Sequence, residues 1–152
     1  MTTKRLITMA LAGLGVLAPA AADAACSINT TAVNFATHNV FSATPDDATG
    51  QIRFRCTGSP PPLVTIHLDK GGAPSFTPRE MRRGSEILGY NLYLDSTRTT
   101  IWGDGTSGTA VYSSANPPNN SNVSLPIYGR VGAAQDVSAG TYSDTVLATI
   151  NF

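Results

Sequence analysis

Charge is scarce in this chain. Of its 152 residues, 13% are Asp, Glu, Lys or Arg, roughly half the usual share for a soluble domain. Ten basic residues balance ten acidic ones, and no stretch is markedly basic. A nucleic-acid partner therefore has no electrostatic footprint to follow. So little charge also argues against a salt-bridged helical bundle, a coiled coil or a charged disordered tail. His38 and His67 are the only histidines and have no ligand-like spacing to the two cysteines, so neither a metal nor another cofactor is expected. The longest apolar run, Leu6 to Ala18, covers 13 residues. A membrane-spanning helix needs about 18 or more, so no span is expected in the exported chain.

That run belongs to a leader. Lys4 and Arg5 precede it, Pro19 breaks it, and Ala22-Asp23-Ala24 follows with small residues where a signal peptidase reads. Residues 1–24 are expected to be a signal peptide and residues 25–152 one domain. A lipid anchor on Cys26 is disfavoured, because Asp23 stands where a lipobox carries an aliphatic residue. Export places Cys26 and Cys56 in an oxidising compartment, where a lone pair of thiols normally forms a disulfide. A metal or redox pair is the alternative, but there is no Cys-x-x-Cys motif.

Beyond the leader the apolar residues alternate, and helical periodicity is missing. Ile52, Phe54 and Cys56 share one face, as do Val64, Ile66 and Leu68, and Leu88, Tyr90, Leu92 and Leu94. Val123, Leu125, Ile127, Gly129 and Val131 form another inward row. Pro126 within that row points to a sheet edge or a bulge. An opening strand is expected over Ile28 to Phe35, with Val33 and Phe35 inward. A closing strand is expected over Tyr142 to Phe152, with Val146, Ala148, Ile150 and Phe152 inward and Asp144 the sole interruption. Clusters of Gly, Pro, Asn and Asp separate the runs. The fold class read from this is all-β, a two-sheet antiparallel sandwich of immunoglobulin-like type.

No catalytic constellation stands out. His38 and His67 read as solvated surface residues. Gly103-Asp104-Gly105 reads as a turn rather than an ion loop. Arg79, Arg82 and Arg83, near Glu80 and Glu86, read as a mixed-charge loop. Three Asn-x-Ser/Thr triplets match a glycosylation pattern that arises often by chance.

Some runs carry a more specific likeness. They are Ser42-Ala43-Thr44-Pro45, Ala48-Thr49-Gly50 leading to Cys56, Gly89-Tyr90-Asn91-Leu92-Tyr93 and Arg98-Thr99. Trp102-Gly103-Asp104-Gly105-Thr106, Tyr128-Gly129 and Gly140-Thr141-Tyr142-Ser143-Asp144-Thr145-Val146 follow in the same order. The chain resembles the spore coat protein U domain family, which includes subunits of archaic chaperone–usher pili. The resemblance implies an incomplete sandwich, lacking its last strand, that passes through the periplasm to the cell surface. It implies three kinds of partner: a periplasmic pilus chaperone, an outer-membrane usher and other pilus or coat subunits. The missing strand would come from another chain. Val33, Phe35, Val146, Ala148, Ile150 and Phe152 are the residues expected to border the resulting groove. Polymerising members of the family carry an alternating segment ahead of the first cysteine. Here cleavage after Ala24 leaves Ala25 alone in front of Cys26, so the chain is expected to accept a strand but not to give one. A free secreted carbohydrate-binding module, using the loop Asn116 to Asn122, is the alternative function.

Overall fold

Strand alternation organises the chain as far as it is described, which is residues 23–152 apart from Pro60 and Pro62 of this computed structural model. The expected cleavage after Ala24 falls at the start of that range, and residues 1–22 of the expected signal peptide lie outside the described residues. Eight strands form: β1 (Ala25–Thr31), β2 (Asp46–Thr57), β3 (Leu63–Leu68), β4 (Arg79–Arg83), β5 (Glu86–Tyr93), β6 (Tyr112–Ala115), β7 (Val123–Val131) and β8 (Ala148–Asn151). No helix occurs among the described residues. Five strands make one sheet in the order β1-β2-β7-β5-β4, and three make the other, β6-β3-β8. Every pairing between these strands is antiparallel.

The inward rows of β2, β3, β5 and β7 meet around Trp102, which is fully buried. Its indole Nε1 donates to the Ile66 carbonyl at 3.0 Å. Buried Trp thus contributes area to the core and uses its one donor there. Cys26 and Cys56 are register partners on β1 and β2 and are joined by a disulfide. They stand 30 residues apart in sequence, and closing a loop of that size contributes about 3–4 kcal/mol in the chain-entropy description. Pro126 does sit against a free edge. β7 pairs with β2 along its length, but with β5 only from Tyr128 onward. The Pro126 position therefore has no ladder partner on its β5 side.

Three expectations need correction. The opening strand ends at Thr31 rather than Phe35, so Val33 and Phe35 lie beyond the β1–β2 ladder. The closing strand is short, Ala148–Asn151, because β8 pairs only where β3 offers an edge from Thr65 to Leu68. Arg79–Arg83 is not a loop but β4, paired with β5, and Arg79 is 0% exposed. Its Nε and Nη2 donate to the Asp69 carbonyl at 3.0 and 2.8 Å, and Nη2 also to the Trp102 carbonyl at 2.6 Å. Its Nη1 reaches Asn91 Oδ1 at 2.8 Å, and its guanidinium lies 5.1 Å from the Phe76 ring centre. Burial lowers its pKa. One planar fork thus satisfies carbonyls from two loops that no strand pairs.

Asp95 closes the turn after β5 in a similar way. Its carboxylate accepts from the Thr97 hydroxyl and from the Thr99 and Thr100 amides. Led by the Thr97 hydroxyl and then the Thr99 amide, these bonds hold its pKa far below the usual carboxylate range. A carboxylate depressed in the folded state contributes stability above its unfolded pKa and loses it as pH falls through the folded value. Urea midpoints of Asp95→Asn should therefore fall less steeply than the parent's as acidity rises below about pH 4. Parallel curves for the two proteins would refute this.

Candidate functional site

The two sheets do not close on each other along one side. The opening is an apolar cleft of about 1360 Å³, larger than the roughly 300–1,000 Å³ of small-ligand sites. Ile52, Leu92, Ile127 and Val131 floor it, and Leu68 reaches it from the smaller sheet.

One wall is the segment that follows β1. Two glycines let it lie close. A Cβ at Gly129 would stand 2.6 Å from both Phe35 Cζ and Val33 Cγ1, and one at Gly50 would stand 2.8 Å from Val33 Cγ2. The missing side chains leave dents that Val33 and Phe35 fill. The Phe35 ring meets Tyr90 edge-on at 5.8 Å. Residues 32–38 make no backbone–backbone hydrogen bond among the described residues. The wall is thus held by side chains, and its peptide groups are free of any ladder.

The other wall is the chain between β7 and β8. Gln135 pairs with both backbone groups of Gly89, accepting from its N–H at 2.7 Å and donating to its carbonyl at 2.8 Å. Glu86 accepts from Ser138 and Tyr142. Ser143 bridges Arg82 through both backbone bonds. Asp144, expected to interrupt the inward row, stays on it. Its Oδ2 accepts from the Tyr90 hydroxyl at 2.7 Å and its Oδ1 from the Gly72 amide at 2.9 Å. Burial, then the bond to Asp144, raises the Tyr90 pKa strongly, so the phenol stays a donor. β8 follows with one edge on β3 and the other unpaired.

His38 is not a solvated residue. Its side chain is 9% exposed. Nδ1 lies 2.5 Å from Asp46 Oδ2 and Nε2 lies 3.2 Å from the Gln135 carbonyl. Asp46 opens β2 beneath it and the chain leaving β7 passes over it, so the ring ties both walls at one end of the cleft. His67, by contrast, lies half-buried against Thr65.

Of the six residues expected at the groove, the structure brings four together. Val33 and Phe35 lie on one wall and Val146 and Ala148 on the other. Ile150 lies outside the cleft, opposite Ile66, and packs on the core. Phe152 is 53% exposed. The β8 ladder ends at Asn151, so no neighbouring strand holds Phe152 over the core. Sequence reasoning overlooked the two glycine dents and Gln135, whose partners lie far away in the chain. In the loop at Asn116 to Asn122, Asn119 and Asn120 bond to their own chain. Asn119 Nδ2 donates to the Gly58 carbonyl, and Asn120 Oδ1 accepts from Arg55.

No group of three or more His, Cys, Asp or Glu side chains comes together among the described residues. The described residues thus form an antiparallel immunoglobulin-like sandwich with an open side and a free strand edge. The chain belongs to the Spore Coat Protein U domain family, whose model matches residues 12–149. It is thereby a structural protein and not an enzyme. It is 35% identical over 144 residues to "Protein U" of Myxococcus xanthus, an alignment that spans 84% of this chain and 78% of that protein. A solved likeness comes from the CsuC-CsuE chaperone–tip adhesion subunit pre-assembly complex from archaic chaperone–usher Csu pili of Acinetobacter baumannii. The match has a TM-score of 0.62 at 23% identity and covers 85% of this chain but 40% of the other, so the likeness is one of fold.

Proposed function

We propose that the cleft accepts a β-strand from another chain, and that the protein is a subunit of a surface pilus or coat. One observation carries the reading: an apolar trough of about 1360 Å³ opens between residues 32–38 and the chain that leads into β8, reaching that strand at Ala148, and the outer edge of β8 is unpaired among the described residues. Exposed strand edges over apolar surface are a hazard that soluble proteins cover. A strand laid along β8 would supply the missing ladder, and its alternate side chains would fill the trough. Family membership and the chaperone–subunit complex of the fold relative support a route through the periplasm, with a chaperone holding the subunit and an usher passing it on.

The reading extends to polarity. From Ala25 onward the chain is committed to its own β1–β2 ladder. Pro19 to Ala24 contains only Pro, Ala and Asp, so it carries no large apolar side chain to fill a neighbour's trough. The subunit would then sit at a tip, as a cap, or as a minor component.

Expressed alone in the periplasm, the chain should aggregate or swap strands. With an archaic pilus chaperone it should form a soluble one-to-one complex. A stable lone monomer that the chaperone ignores would overturn the reading. Homopolymers joined by strand exchange would overturn the polarity alone.

A further inference from the structure

Two arginines of β2 stand apart from the other arginines. Among the described residues Arg82, Arg83, Arg98 and Arg130 each pair with a carboxylate, and Arg79 is buried among carbonyls. Arg53 and Arg55 have no carboxylate partner there. Arg53 makes two long contacts, to Ser124 Oγ and Gln51 Oε1, both at 3.4 Å. Arg55 donates to Asn120 Oδ1 at 3.0 Å. Phe54 between them is buried and both arginines are exposed, so the two guanidiniums leave one face of the sheet. Their positions on the strand are about 7 Å apart.

The surroundings leave that charge unanswered. β1 and β7 contain no acid, nor do residues 105–135 as a whole. Of the two acids on β2, Asp46 turns to His38. Asp47 serves both Arg98 and Arg130, at 3.1 and 2.7 Å. Arg98 reaches the same face, 5.8 Å from the Tyr128 ring centre. The face therefore carries four guanidiniums against one carboxylate, along about 27 Å of strand from Asp47 to Arg55. Such segregation is notable in a chain whose charges balance overall. Exposed hydroxyl and amide groups flank the unpaired arginines. Asn29 and Ser27 of β1 stand opposite Arg53 and Arg55, and Ser124 of β7 stands opposite Arg53.

We propose that the outward face of β1, β2 and β7 binds an acidic polysaccharide, with Arg53 and Arg55 taking its carboxylates and Ser27, Asn29 and Ser124 its hydroxyls. A guanidinium meets a carboxylate through two parallel hydrogen bonds. A uronate chain spaces its charges among hydroxyls, as this face spaces its arginines among Ser and Asn. A nucleic-acid backbone draws on about six to ten cationic contacts, more than this face offers. A lipid surface takes up apolar side chains as well as charge, and the exposed large hydrophobics all lie off β1, β2 and β7. The face is the reverse of the cleft floor, because Ile52 points inward where Arg53 points out. Glycan binding therefore stands apart from the strand-accepting reading.

The test passes the full exported chain, with and without a pilus chaperone, over immobilised alginate, a linear polyuronate. The chaperone by itself is the blank. The parent should be held at low ionic strength and released as salt rises, and neutral dextran should not hold it. Arg53→Gln combined with Arg55→Gln should weaken the hold about tenfold or more. Arg53→Lys combined with Arg55→Lys keeps the charge without the fork and should retain part of it. Arg82→Gln combined with Arg83→Gln removes the same charge from paired positions and should change little. Equal capture of the parent and the β2 Gln pair overturns the proposal. So does an equal loss from the Arg82 and Arg83 pair, or a parent that alginate does not hold at low salt. Tighter capture by phosphatidylglycerol vesicles or by oligodeoxythymidine than by alginate overturns the choice of a glycan.

Discussion

Appending an alternating strand in cis, through a flexible Gly/Ser linker after Phe152, is expected to raise the thermal midpoint of this domain by roughly 10 °C. The strand would enter between β8 and residues 32–38, two edges whose peptide groups have no ladder partner there. A six-residue strand directs about three apolar side chains into the trough, worth about 1.5–3 kcal/mol each. Ladder bonds add about 0.5–1.5 kcal/mol each. Ordering the strand costs about 1–2 kcal/mol per residue. What remains is on the order of 3 kcal/mol, and each kcal/mol is worth about 3–5 °C for a domain of this size. The control carries Asp at the inward positions of the same strand. Calorimetry that gives equal midpoints for the two fusions would show that the trough does not accept a strand.

Replacing Arg79 with Met is expected to cost about 3–5 kcal/mol, because it removes the donor of the buried Trp102 carbonyl and of the part-buried Asp69 carbonyl and leaves Asn91 Oδ1 with the Leu92 amide alone. Met keeps much of the volume but donates nothing. The Asp69 and Trp102 carbonyls and Asn91 Oδ1 would all lose the donor they share. Removing a buried charge can be neutral when its partners are replaced by apolar groups as well. Here two of the three acceptors are backbone carbonyls, which no substitution removes. Arg79→Lys should recover only part of the loss, since an ammonium cannot present the same fork. Against a net stability of about 5–15 kcal/mol, the effect is a large share. Urea midpoints measured on the cis-complemented protein would read it. A parent-like midpoint for Arg79→Met would mean that the guanidinium network is dispensable.

The cysteine pair was legible because the chain has only two thiols and reads as exported, and the alternating rows because each depends on neighbours two residues apart. Val123–Val131 shows this plainly: a nine-residue strand stands where the inward row of Val123, Leu125, Ile127, Gly129 and Val131 placed it. A period of two states which side chains share a face, and burial of one face then sets the register. β4 was hidden for the opposite reason. Arg79, Glu80, Arg82 and Arg83 look like solvent-facing residues until carbonyls from distant loops gather around Arg79. Phe152 kept the alternation but lost its partner strand, so the pattern placed it inward and the ladder did not.

By itself, then, the sequence determined the all-β class, the faces of the principal strands and the linkage of Cys26 to Cys56, all of which follow from local period and composition. The tertiary structure alone decided where the sandwich stays open, since that depends on how segments far apart in the chain approach one another. Val33 and Phe35 can lie against the larger sheet only because Gly50 and Gly129 leave room. The opposite wall stands off because Gln135, Ser143 and Asp144 bind it to Gly89, Arg82 and Tyr90. The cleft between them exists because no described strand of this chain pairs with the outer edge of β8.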